Sequence, residues 1–309
     1  MEVNGILPLW KERGMTSHDC VFRLRKILKT KKVGHTGTLD PGVDGVLPIC
    51  IGQATKTAEY LTDSGKTYEA EVTIGYSTET EDSEGEAVET DFSNKRISRT
   101  QVEEVLESLT GEIVQVPPMY SAVKVNGRRL YEYARKGIPV ERPERKVQIH
   151  SIELLGTETE WQGERIRFPI RIQCGKGTYI RTLAVQIGEA LGFPAHMSKL
   201  TRTASGKFQA ADCVTLEKTA VLMESGEIGS VLKPISWALA DFPFLEVPES
   251  LLFPVKNGQV LDSHPLLDSH RALVFTEAGR PIAVYSGHPV KPGKMKPEKM
   301  FPVTGKEEV

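Results

Sequence analysis

The stretch VGHTGTLDPGVDGVLPICIG, residues 33–52, decides how the rest of the chain is read. It holds five glycines, the imidazole of His35 and the carboxylates of Asp40 and Asp44, with no lysine or arginine. Glycines at this density permit positive φ and close approach of backbone to a ligand. Asp40-Pro41-Gly42 predicts a turn, since proline sets φ at one position and glycine frees the next. The apolar run at 46–51 is long enough for a buried strand that anchors the loop. A loop bearing an imidazole and carboxylates on a rigid strand suits an active site. The competing reading is a Gly-rich connector whose aspartates only shape turns.

Outward from this stretch, charge is segregated, although the formal net charge is only −2. Residues 23–32, RLRKILKTKK, carry six positive charges and no negative one, and residues 124–146 carry eight against three. Residues 79–91, ETEDSEGEAVETD, carry seven negative charges and no positive one, and 77–94 is expected to be a solvated loop. Two basic stripes flanking a candidate catalytic loop suit a polyanion such as nucleic acid. In the second stripe, Tyr131 and Tyr133 interleave with Arg128, Arg129, Arg135 and Lys136, a mixture suited to a sugar-phosphate chain with exposed bases. Alternatively, Leu130 and Tyr133 pack down while the cations stay in water.

Strands are predicted at 5–9, 67–74, 147–155, 166–174 and 197–204. Helices are predicted to start at Thr16 or Ser17, at Ser98 or Thr100, and near Thr178, whose hydroxyl would cap the last. Asn126-Gly127 predicts a hairpin turn of type I′. Composition changes near residue 243. The tail beyond it carries a helix signal at 248–255, apolar strands at 272–276 and 282–285, and the Lys/Pro-rich segment KPGKMKPEKMF. Such a tail can form a small β-rich module, more stable when docked.

Several functions are set aside by what the sequence lacks. With 39% apolar residues, no long apolar run and no basic-then-apolar leader, neither secretion nor membrane insertion is expected, and the cytoplasm is the expected location. Cys20, Cys50, Cys174 and Cys213 lie far apart, which predicts reduced thiols and no zinc site. Neither a Walker loop nor a strand-linked GxGxxG signals a nucleotide cofactor. His35, Asp40 and Asp44 fix no metal geometry within so glycine-rich a turn. Carboxylate chemistry in a loop flanked by cations remains.

The segment GHTGTLDPGVDGVLPICIGQATK resembles the catalytic motif of the TruB family of bacterial tRNA pseudouridine-55 synthases. TSHDCV (16–21), KTYEAEVTIG (66–75), PPMYSAVKVNGRRLYEYARKG (117–137) and CGKGTYIRTLA (174–184) follow in that family's order and spacing. The tail resembles, more weakly, the family's PUA-type RNA-binding module. The resemblance implies an α+β fold, with a mixed, largely antiparallel central sheet flanked by helices. It implies a catalytic domain at 1–243, an RNA-gripping insertion near 118–146 and a PUA-like module at 244–309. It also implies an isomerase that needs no cofactor or metal. Such an enzyme detaches uracil at N1 from its ribose, turns the base and rejoins it through C5, at uridine 55 of the T loop.

Carried over by motif, Asp40 is the catalytic carboxylate and Arg181 its ion-pair partner. Tyr68 stacks on the target uracil, and Tyr179 and Leu200 form other walls of its pocket. His35 inserts into the T loop where the flipped base has left, and Lys56 is a basic residue near the active site, suited to phosphate. The implied partner is tRNA, gripped by its T arm, with no obligate protein partner and a monomeric chain. One departure stands out. The family's Lys-Pro-x-Gly-x-Thr-Ser reads Lys11-Glu12-Arg13-Gly14 here, so a proline is lost from the loop. Three rival functions remain on sequence alone: a guide-RNA-dependent synthase with the same core, an RNA-binding or RNA-folding protein without required catalysis, and a carboxylate glycosidase on nucleosides. The last needs a second placed acid, for which Asp44 is the nearby candidate.

Overall fold

The computed structural model describes residues 3–302. β1 (Gly5–Lys11) leads into α1 (Ser17–Ile27). Thr16 starts that helix: its hydroxyl accepts from the Asp19 amide at 3.0 Å while the Asp19 carboxylate accepts from the Thr16 amide at 2.8 Å. β2 (Val33–His35) and β3 (Asp44–Ile51) bracket the central loop, 36–43. A 3-10 turn (Gly52–Thr57), α2 (Ala58–Thr62) and β4 (Lys66–Ile74) follow.

The acidic stretch is not the open loop that its composition predicted. It forms a hairpin of β5 (Tyr76–Thr78) and β6 (Ala87–Thr90), and turns part of its charge inward. β7 (Lys95–Ser98), α3 (Arg99–Ser108) with Ser98 as its cap, and β8 (Gly111–Gln115) come next. Asn126 and Gly127 take φ of 51° and 80° between β9 (Lys124–Val125) and β10 (Arg128–Arg129), the positive pair that a type I′ turn requires. α4 (Leu130–Ala134), β11 (Arg145–Leu154), β12 (Glu160–Gly163) and β13 (Ile166–Cys174) lead to α5 (Ile180–Leu191). α5 buries Ile180, Leu183, Ala184, Ile187 and Gly188, a stripe at helical spacing, and ends where Gly192 turns left-handed. β14 (Ala195–Ser205), β15 (Phe208–Gln209), α6 (Leu216–Glu224) and α7 (Ile235–Leu239) complete this part.

The large sheet runs β1-β3-β14-β4-β13-β11-β8, with β2 added on β3 and β15 on β14. Only β3 and β14 run parallel. β3 is buried along nearly its whole length, as a continuous apolar run should be. Its Pro48 stands opposite Pro8 of β1. Both prolines point their carbonyls away from that ladder: Pro8 accepts from the Val214 amide at 3.0 Å and Pro48 from the Thr36 amide at 3.2 Å. The missing N–H groups therefore remove no β1–β3 bond. Leu24 of α1, Val102 of α3 and Leu183 of α5 pack with Leu47, Val72 and Phe168 of the sheet in one core. Each contributes roughly 1.5–3 kcal/mol through burial.

The tail builds a second sheet from β16 (Phe244–Glu246), β17 (Leu261–Asp262), β18 (Ala272–Glu277), β19 (Arg280–Gly287) and β20 (Lys294–Met300), in the order β16-β18-β19-β20-β17, with α8 (Glu249–Lys256) beside it. The Lys/Pro-rich segment thus supplies β20. Alternation sorts the faces. Leu273, Phe275 and Tyr285 join Val255 of α8, whereas Ala272, Val274 and Val284 meet Tyr60 and Leu239 of the first part. Residues 303–309 of the expected module lie outside the described residues.

Candidate active site

The central loop is held from three sides. Ser17 clamps Leu39 through its hydroxyl, which accepts from the Leu39 amide at 2.9 Å and donates to its carbonyl at 3.2 Å. The Val43 amide donates to the Asp40 carbonyl at 3.1 Å, closing the Asp-Pro-Gly turn, and the Gly14 amide reaches the Pro41 carbonyl at 2.9 Å. Lys11, fully buried, donates to the carbonyls of Glu12 and Pro41 at 3.0 and 3.4 Å. Burial lowers the pKa of its ammonium, against the pull of Cys20, Asp44 and Asp40. Thus the 11–14 loop, with Glu12 in place of a proline, is tied to the Asp40 turn by the residues on either side.

Arg202 of β14 is the largest fully buried side chain among the described residues. Its Nε donates to the Val46 carbonyl at 2.7 Å and its Nη2 to the Gly37 carbonyl at 3.4 Å, so one guanidinium satisfies both strand edge and loop. Gly45 makes room for this approach. Its φ is 124°, and a Cβ there would collide with the main chain of Arg202.

At the tip of the loop, Asp40 Oδ2 lies 3.0 Å from Arg181 Nη2, at the start of α5. The Asp40 side chain is 44% exposed and that of Arg181 only 6%. The carboxylate therefore opens to solvent while the cation that orients it is shut away. Arg181 is satisfied on its other sides: Nη1 donates to the Thr80 carbonyl at 2.8 Å and stands 3.7 Å from Asp82 Oδ2, and Nη2 also donates to the Tyr120 carbonyl at 3.0 Å. A planar fork with fixed donors suits such a set, and each partner offsets the cost of burying the charge.

Two tyrosines lie within electrostatic reach of the carboxylate. Tyr68 on β4 stands between Ile172 of β13 and Arg202 of β14, partly buried against the core. Burial raises the pKa of its phenol, with Arg202 acting the other way and the charge of Asp40 adding to the rise. Tyr179 precedes α5, and its phenol too is raised by burial and by Asp40, against the pull of Ser121, Arg145 and Arg181. Both phenols thus feel the one carboxylate. Leu200 of β14 is buried opposite Ala70 of β4. The expected cap on α5 is absent: the Thr178 hydroxyl donates to the Gly175 carbonyl at 3.0 Å. Buried Gln115 grips the turn instead, accepting from the Tyr179 amide at 3.0 Å and donating to its carbonyl at 3.2 Å.

A family model described as "TruB family pseudouridylate synthase (N terminal domain)" matches residues 25–180, and one described as "tRNA pseudouridylate synthase B C-terminal domain" matches residues 181–240. The chain is 53% identical over 299 residues to the tRNA pseudouridine synthase B of Bacillus cytotoxicus, covering 97% of each. The chain belongs to the TruB family of pseudouridylate synthases.

Enzymes of this kind are isomerases, and so is this TruB-family chain. It is also 52% identical over 301 residues to the tRNA pseudouridine synthase B of Geobacillus thermodenitrificans, covering 97% of this chain and all of that one. Among solved structures, a chain of a Cbf5-Nop10-Gar1 complex superposes with a TM-score of 0.72 at 27% identity, over 96% of this chain and 85% of that one. An archaeal box H/ACA Nop10-Cbf5 complex shares the fold, with a TM-score of 0.68 at 23% identity.

Of the residues read from the sequence of this TruB-family chain, Arg181 lies against Asp40, Tyr68 and Tyr179 are near enough to feel its charge, and Leu200 is buried on β14 opposite Ala70 of β4. His35 closes β2, five residues before Asp40 along the same loop and partly exposed. Burial, then Arg202 and His18, lower the pKa of its imidazole, which favours the neutral ring. Lys56 is turned elsewhere. On the 3-10 turn after β3, its ammonium donates to the Met300 carbonyl of β20 at 2.7 Å, beside Tyr60, which donates to Glu298 at 2.9 Å. Asp44 is no second acid: its Oδ1 accepts from the Thr201 hydroxyl at 2.6 Å and lies 3.4 Å from Arg13. Sequence reasoning missed Arg202, Gln115, Asp82 and Glu81. Gln115 lies two residues before the 117–137 motif and Arg202 two residues after Leu200, but the acidic stretch carried no sign that two of its carboxylates face inward.

Proposed function

We propose that this TruB-family enzyme converts uridine 55 of the tRNA T loop into pseudouridine, with Asp40 as the reacting carboxylate and no cofactor. The observation that carries the reading is the Asp40 carboxylate, 44% exposed and oriented at 3.0 Å by a buried arginine. A uridine within a folded T loop is inaccessible, so the nucleotide flips outward and enters beside Asp40. Tyr68 stacks on the uracil, Tyr179 and Leu200 close the pocket, and neutral His35 fills the gap left in the loop. The carboxylate then stands against the sugar, where an ionised, fixed oxygen serves either as nucleophile or as base. The N1–C1′ bond breaks, the detached base turns, C5 bonds to C1′, and the C5 proton leaves while N1 gains one, so nothing is oxidised or hydrolysed.

The exposed cations Arg23 and Lys26 of α1 and Lys29 just beyond it follow backbone phosphate, and Tyr131, in reach of Arg129 and Arg135, adds an aromatic surface on the insertion. Tyr133, its neighbour, packs inward and does not join that surface. In this reading residues 1–243 carry the chemistry, 118–146 close over the T arm, 244–309 bind more of the RNA, and the chain acts as a monomer without a protein partner. The guide-RNA-dependent alternative is supported by the 27% identity to the Cbf5 complex, and is outweighed by end-to-end correspondence at 53% with a synthase named for tRNA.

The test is incubation of purified protein with unmodified tRNA and mapping of pseudouridine at single-nucleotide resolution. Modification at position 55 without guide RNA is expected, and Asp40→Asn is expected to bind tRNA without converting it. Turnover by that variant would refute the role given to Asp40.

A further inference from the structure

Glu81 joins the insertion to the reacting pair. Its φ is +62°, left-handed for a residue with a side chain, and such a backbone persists only where its surroundings hold it. They do so here: the Glu81 amide donates to the Thr78 carbonyl, and the Met197 amide donates to the Glu81 carbonyl, each at 3.1 Å. Most side chains of the acidic hairpin face water, but that of Glu81 is only 17% exposed. Its Oε2 accepts from the hydroxyl of Thr182, the residue after Arg181, at 2.6 Å. Its Oε1 lies 4.0 Å from Nη1 of Arg142, which donates to the Pro117 carbonyl at 3.1 Å.

The residues around Glu81 make this placement informative. Thr80 before it and Asp82 after it both hold Arg181, and so does the carbonyl of Tyr120. Both roots of the insertion, Pro117 and Tyr120 at one end and Arg142 at the other, therefore meet at the support of the Asp40–Arg181 pair. A carboxylate in this position would be costly to bury without Arg142 and Thr182, and its charge gives the insertion one preferred seat.

We infer that Glu81 is a positioning residue, whose carboxylate latches the insertion through Arg142 to the turn and helix that hold Arg181. Closure of the insertion on RNA then sets the geometry of the Asp40–Arg181 pair. The inference rests on the proposed reading of Asp40 as the reacting carboxylate and of 118–146 as the RNA grip.

Glu81→Gln keeps the length and an acceptor for Thr182 but removes the charge. Arg142→Gln removes the cation from a side chain that is 35% exposed, so the fold tolerates it. With the full chain and an unmodified tRNA transcript, filter binding gives Kd and tritium release from C5-labelled uridine gives the single-turnover rate. Each variant is expected to slow the single turnover about tenfold, and the double variant to be no slower than the slower single, the mark of one shared interaction. For Glu81→Gln, Kd should stay within about twofold, since the side chain faces protein. Wild-type rates in both singles, losses that multiply in the double, or a Glu81→Gln loss confined to Kd overturn the latch. Should Glu81→Gln fail to fold, the rate of Arg142→Gln decides. Asp40→Asn, measured alongside, separates the two claims: turnover there sinks the reading of Asp40, whereas an inactive Asp40→Asn with unimpaired latch variants sinks the latch alone.

Discussion

Replacing Arg181 with lysine keeps the positive charge and removes the fork. Arg181 places Nη2 on Asp40 at 3.0 Å and on the Tyr120 carbonyl at 3.0 Å, while Nη1 serves the Thr80 carbonyl at 2.8 Å and faces Asp82 at 3.7 Å. A single ammonium on a shorter reach cannot occupy both nitrogen positions, so Asp40 or the Thr80–Asp82 turn loses its donor. A hydrogen bond to a charged group contributes about 1.5–3 kcal/mol net. The Asp40 side chain is 44% exposed in the free protein, and screening there favours the lower figure; a bound nucleotide excludes water and favours the upper one. At about 1.4 kcal/mol per factor of ten, Arg181→Lys should slow single-turnover isomerisation by roughly 10- to 150-fold. Binding of tRNA should change little, because the side chain is only 6% exposed. Rapid-mixing measurement of tritium release under excess enzyme, paired with a filter-binding titration, separates the two quantities. A single-turnover rate within twofold of wild type at unchanged affinity would refute the claim that the fork orients Asp40.

Tyr68→Phe keeps the ring and should retain most activity, whereas Tyr68→Ala removes a stacking surface worth roughly 1–3 kcal/mol; equal losses in single-turnover assays of both would show that the hydroxyl, not the ring, matters. Raising salt should weaken tRNA binding steeply, since Arg23, Lys26 and Lys29 would displace counterions from phosphate, and a flat plot of log Kd against log salt would exclude this. His196 is fully buried, with its Nδ1 2.9 Å from the Tyr76 carbonyl, and burial lowers the pKa of its imidazole below the ordinary 6.5. The unfolded chain therefore takes up a proton that the folded chain refuses, so stability contributed at neutral pH is lost as pH falls below about 6.5. His196→Asn should flatten that decline in denaturant titrations between pH 7 and 5, and an unchanged slope would assign the decline to other groups.

The legible parts of the fold and site were those written locally. Thr16 opens α1 and Asn126-Gly127 turns its hairpin, because each depends on neighbours within a few residues. The motif around Asp40 and the Arg181 segment were likewise visible as resemblances. Composition misled at the acidic hairpin: seven negative charges read as solvated, yet Asp82 and Glu81 turn toward Arg181 and Thr182. The resemblance suggested phosphate for Lys56, whose ammonium in the free protein donates to the Met300 carbonyl. Thr178 was a good cap by residue type, but its hydroxyl donates to the Gly175 carbonyl and α5 opens one residue later, at Tyr179, which Gln115 on a distant strand holds.

By itself the sequence determined the long strands of the large sheet, the Asn126-Gly127 turn, and which loop holds a carboxylate among glycines, since these follow from side-chain periodicity and backbone freedom. Tertiary structure alone decided the fate of the charges. Arg202 meets Val46 across 156 residues, Arg181 meets Thr80 across 101, and Glu81 meets Thr182 across 101. A charged side chain is stable in water or among fixed partners, and only the packed sheet shows which of the two surrounds it.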